Sequence, residues 1–145
     1  MQRSAENWRR KKDVVFFTFE KTVKKDEKVV LEIVYHGTPI NILSYSTIYW
    51  QKDKNNTPWI CTSTQGVGPQ HMMLCKMLLN DEADSCFIRV TVPKGLIAVA
   101  NGKLDDVIEG SQKTTYNWSV KNSINIYNSS FNVGDYVKLE KIILM

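Results

Sequence analysis

The chain has 145 residues, 43% of them hydrophobic and 23% charged, with a net charge of +4. That length suits one domain with a single core, and that balance excludes a disordered chain. No apolar run reaches the roughly 18 residues that a membrane helix needs, and a charge of this size excludes a strongly polyanion-seeking protein. The opening "MQRSAENWRRKK" is positive but has no apolar segment behind it, so a signal peptide is not expected and the cytoplasm is the default location. Its run Arg9-Arg10-Lys11-Lys12 beside Trp8 reads as a solvated basic arm over residues 1–13, with neither nucleic acid nor membrane expected as a partner.

From residue 14 to 145 the pattern is that of one β domain, because period-two alternation dominates. "DVVFFTFEK" sets Val15, Phe17 and Phe19 on one face, and "KVVLEIVY" does the same with Val29, Leu31, Ile33 and Tyr35. "STIYWQ" and "PWICTS" flank the polar turn "KDKNNTP" as a hairpin. "CFIRVTV" places Cys86, Ile88, Val90 and Val92 inward, and Pro93 and Gly95 then turn the chain into "LIAVA", which stops at Asn101-Gly102. "TTYNWSV", "SSFNV" and "YVKLEKIIL" complete the set. The expectation is an all-β protein: an antiparallel sandwich or twisted sheet of about nine or ten strands. One short helix is expected near 70–80, where Met72, Cys75 and Leu79 fall at helical spacing in "QHMMLCKMLLND".

The sequence is poor in catalytic groups. Its two histidines, His36 and His71, form no His-Glu-x-x-His pair, the arrangement that sets two imidazoles and a glutamate around zinc on one helical face. A Gly-x-Ser-x-Gly elbow and a phosphate loop are missing too. Three cysteines at wide spacing, Cys61, Cys75 and Cys86, suit neither a disulfide framework nor a zinc knuckle. Asp81, Glu82 and Asp84 lack the spacing of a calcium loop and read as a solvated turn, as do Asp105, Asp106 and Glu109. No catalytic residue, metal ligand or cofactor is therefore expected in this chain.

Several segments in a fixed order carry a resemblance. Gln65-Gly66, the acidic turn Asp81 to Ser85, "VTVPKGLIAVANG" from Val90 to Gly102, "TTYNW" from Thr114 to Trp118 and "INIYNSSFNVGDY" from Ile124 to Tyr136 succeed one another. Together they are similar to the N-terminal β domain of zinc aminopeptidases of the gluzincin type, peptidase family M1. "FEKTVKKDEKVVLEIVYHGTPI" at 19–40 resembles the hairpin before them. The resemblance implies a saddle-like antiparallel domain beside a separate catalytic domain that holds the zinc.

It also implies that Gln65 binds the substrate's amino terminus, with Gly66 leaving room beside it; a carboxamide oxygen can accept from an ammonium group. Where relatives resemble "GASLWWPCKDHLSDEPDS", this chain has "GPQHMMLCKMLLNDEADS". Met72 and Met73 stand for tryptophans, Leu74 for a proline and Met77 for an aspartate. The expected partners are the catalytic domain of such a peptidase, a peptide N-terminus once that domain is present, or further copies joined through exposed sheet edges.

Overall fold

The structure is a computed structural model, and it describes residues 7–19, 21–38, 46–64, 66, 68–76, 78 and 80–139. It divides into two compact units, residues 1–37 and 38–145. Among the described residues nine strands lie in three antiparallel sheets, so the all-β expectation holds. Among the described residues, no helix is long and apolar enough to cross a membrane.

The first unit carries one hairpin. β1 (Asn7–Lys11) pairs antiparallel with β2 (Val14–Thr18), with Trp8 opposite Phe17 and Arg9 opposite Phe16. Lys12 closes the turn at a φ of 54°, and the Arg10 guanidinium Nε donates to its carbonyl at 2.8 Å. The residues expected as a solvated arm thus include a strand. Every residue of β1 is exposed, so it carries no inward alternation that a sequence pattern could reveal. Residues 28–35, expected as a strand, show only a single bridge position at Val30.

The second unit holds a four-stranded and a three-stranded sheet. β3 (Ile48–Lys52), β4 (Pro58–Thr62), β9 (Phe131–Gly134) and β6 (Ile97–Ala100) follow in that order across the first. The other has β8 (Lys113–Val120) between β5 (Cys86–Pro93) and β7 (Lys103–Glu109). The β3–β4 turn is set by Asp53, whose carboxylate accepts from the backbone of Asn55 and Thr57, both at 2.8 Å. β5 and β8 are laddered over eight pairs, from Cys86 opposite Val120 to Pro93 opposite Lys113.

The core lies between these two sheets. Val92 of β5, Ala98 of β6 and Val133 of β9 are buried together, with Ile60, Val90, Leu96, Tyr116 and Phe131 packed against them. Two aromatic side chains of β8 also bond across the gap: Tyr116 Oη donates to the Leu96 carbonyl at 3.1 Å, and Trp118 Nε1 to the Ala98 carbonyl at 3.2 Å. Both acceptors border or belong to β6, an edge strand, so the polar tips of the rings are satisfied by backbone carbonyls at the edge of the facing sheet.

The expected helix near 70–80 is not formed over its described part. A single 3₁₀ turn, Pro69–His71, stands at its start, and Met72 to Lys76 are not helical. Met72 N and Met73 N both bond Pro69 O at 2.9 Å, and no helical ladder continues past them among the described residues. Met72 and Cys75 are half-buried without a helix, so their spacing reflects packing of an irregular segment. Leu79 lies outside the described residues.

Candidate functional site: the loop after β4

The loop leaving β4 is pinned at its root. Ser63 N donates to the carbonyl of Thr47, a residue with no exposed surface, at 3.0 Å. The buried Thr64 hydroxyl donates to the Tyr127 carbonyl, just where Asn125 caps a second 3₁₀ turn, Ile126–Asn128. Thr64 also accepts from Gly68 N at 2.8 Å, which closes a five-residue turn. Pro69 beyond it is fully buried. The Thr64 hydroxyl thus ties the loop to neighbouring backbone, as Ser and Thr do in turns, and the Ser63–Thr47 backbone bond adds a second tie.

Gly66 sits in this turn, exposed, at a φ of 79°, and a Cβ there would meet nothing within 4 Å. Glycine is therefore needed for its backbone angle, and the space beside it is open. Gln65, the residue expected to meet a substrate amine, lies outside the described residues. The two predicted site residues are thus represented by Gly66 alone.

Among the described residues, nothing else near the loop assembles into reactive chemistry. Gln70 Nε2 is 3.2 Å from His71 Nε2, and both side chains are at the surface. Asp81 is paired with Lys76 Nζ at 2.6 Å, both largely exposed, which fits the solvated turn expected there. Burial pushes the Cys61 and Cys75 thiols above their ordinary range, the opposite of an activated thiolate. Among the described residues no three His, Cys, Asp or Glu side chains come together as a metal site.

Sequence reasoning passed over a second kind of feature, apolar surface beside the core. Phe87 on β5 is 74% exposed and Trp50 on β3 is 68% exposed. Trp50 is in register with Ile60, a core-facing residue, so the sheet face runs on past the part that the opposite sheet covers. The same holds for Val107, which lies opposite the core residue Tyr116 yet is exposed. The signal for Phe87 was available: once Ile88 and Val90 point inward, an aromatic at 87 must point out.

With this geometry in hand, comparison with solved structures finds similarity to an M1 zinc metallopeptidase from Deinococcus radiodurans. The TM-score is 0.51 at 22% identity, over 59% of this chain and 19% of that one. At that identity the likeness concerns the fold, and the matched part spans about a fifth of the other protein. No protein-family model matches the sequence, and no curated protein does.

Proposed function

We propose that this chain is a non-catalytic β domain of the M1 peptidase type, which helps to hold a substrate's amino terminus when a zinc-bearing catalytic domain is present. The observation that carries this reading is the fold likeness to an M1 zinc metallopeptidase. A second support is the loop after β4. Its root is fixed by Thr47, Thr64 and Tyr127 while Gly66 stays open, as a ligand-facing turn on a rigid support should. In this reading Gln65 accepts from the substrate ammonium group, Gly66 leaves room for the first residue, and the zinc is held by the partner domain.

The test is to mix the purified chain with an M1 peptidase catalytic part lacking its own N-terminal domain, and to follow hydrolysis of an aminoacyl anilide. Turnover should rise on mixing. Gln65→Ala should then raise KM about tenfold, the loss of roughly one hydrogen bond to a charged group, with kcat less affected. A mixture that shows no association and no turnover counts against the proposal.

A second reading has its own support. Trp50 on β3, Phe87 on β5 and Ile108 on β7 are exposed, and exposed apolar surface favours binding to other proteins, so the chain could serve as a stand-alone interaction module. Light scattering at high concentration discriminates, since a strict monomer weighs against association through this surface.

A further inference from the structure

The two most charged strands of the molecule are both edge strands, and they carry opposite signs. β1 pairs with β2 along one edge and with no strand along the other among the described residues, and all five of its residues are exposed. It presents Arg9, Arg10 and Lys11, followed by Lys12 in the turn. The Arg9 guanidinium is held 5.1 Å over the Phe16 ring, and Arg10 is fixed by the Lys12 carbonyl. β7 borders the three-stranded sheet, and all seven of its residues are exposed. It carries Asp105, Asp106 and Glu109 against the single Lys103, with a bulge between Leu104 and Asp106.

Charge is also uneven along the chain. Residues 1–37 hold nine basic and six acidic side chains, a net +3, while 38–145 hold ten and nine. Most of the excess positive charge therefore lies in the unit that bears β1.

We propose that β1 of one copy adds to the free edge of β7 in a second copy, so that the cations Arg9 to Lys12 meet the acidic run Asp105, Asp106 and Glu109. Charges and a bulge on an edge strand normally guard it against pairing. Here each edge repels its own kind, β1 from β1 and β7 from β7, and attracts the other, which is how opposite charge sets both partner and orientation. The apolar side chains between the charges, Trp8 on β1 and Leu104, Val107 and Ile108 on β7, are exposed and would be covered by the pairing. A five-residue ladder fits within the seven residues that β7 offers. The joined sheet would run β5, β8, β7, then the second copy's β1 and β2. This inference rests on edge strands and charge, and does not depend on the peptidase reading.

The test is sedimentation velocity on the full chain at low and high salt. The wild-type chain should self-associate at about 20 mM salt, and its dissociation constant should weaken about tenfold or more near 0.5 M. D105K/D106K and R9E/R10E/K11E should each be monomeric alone, and an equimolar mixture of the two should regain association, because each then offers the edge that the other needs. All five positions are exposed, and circular dichroism checks that both variants fold. Should either fail, D105N/D106N and R9Q/R10Q make the same test, each weakening association. A wild-type chain that stays monomeric at low salt overturns the proposal. So does association unchanged in the charge variants, or a mixture no more associated than its parts.

Discussion

Strand β5 and the segment 28–35 are both eight residues long and alternate apolar with other side chains. β5 is laddered to β8 along its whole length, while 28–35 forms no named strand. In β5 the alternation becomes burial: Val92 is 5% exposed and sits in the core. In 28–35, Val34 is 90% exposed and Leu31, Ile33 and Tyr35 are exposed as well. A strand is stabilised by its neighbours, through ladder bonds on its edges and a packed layer on one face. Alternation is a prerequisite for such a strand and does not create one unaided.

Substitutions can sharpen this contrast, beginning with the largest effect. Gly102 ends the turn before β7 at a φ of 88°, and a Cβ there would lie 2.0 Å from the Ser119 carbonyl oxygen. Gly102→Ala should cost about 3 kcal/mol or more, since backbone of β8 must move and a left-handed angle is lost to glycine. Gly66→Ala, with the same backbone sign but open space, should cost only about 1 kcal/mol. Urea midpoints for the two variants compare them directly.

Next, Val92→Ala should cost about 2 kcal/mol through lost burial and the cavity left behind. Val34→Ala should stay within about 0.5 kcal/mol, as exposed substitutions do. Equal midpoints for these two variants would break the comparison.

A smaller effect is expected at the bonds between the sheets. Tyr116→Phe removes the donor to the Leu96 carbonyl and should cost about 1 kcal/mol. The same variant should change the pH dependence. Burial first, and then the charge of Glu109, push the Tyr116 phenol above its usual range. The folded chain therefore keeps this proton after the unfolded chain has lost it. Stability is untouched below about pH 10 and falls as pH rises beyond it. In Tyr116→Phe that part of the alkaline decline should be absent, as thermal unfolding across pH 9–11 would show.

The smallest shift expected is none. Removing divalent metal with a chelator should leave the unfolding transition in place, because no cluster of donors among the described residues binds one.

Much of the fold could be read directly from the residues, since β5 buries alternate positions and β6 ends at the turn dipeptide Asn101-Gly102. β1 and β7 were hidden for a shared reason. Arg9 to Lys11 and Asp105-Asp106 are charges on edge strands with no buried face, so they look like arms and turns. The helix expected near 70–80 rested on apolar spacing, and spacing alone does not separate helix from irregular packing. For the candidate site, Gly66 was expected only for the room it leaves, so neither its φ of 79° nor the anchoring of Thr64 by Tyr127 was legible. That contact spans 63 residues of sequence and exists only once β4 and the second 3₁₀ turn are neighbours.

The two ring donors of β8 have one more consequence. Tyr116 and Trp118 are two positions apart, and so are the carbonyls they reach, Leu96 and Ala98. A slip of one layer over the other by a single residue would misalign both at once, and a slip by two would leave one ring without its acceptor. The pair works as a vernier that fixes the sliding position of the layers, which apolar packing by itself resists only weakly. Indole emission from Trp118 should therefore report when the layers part.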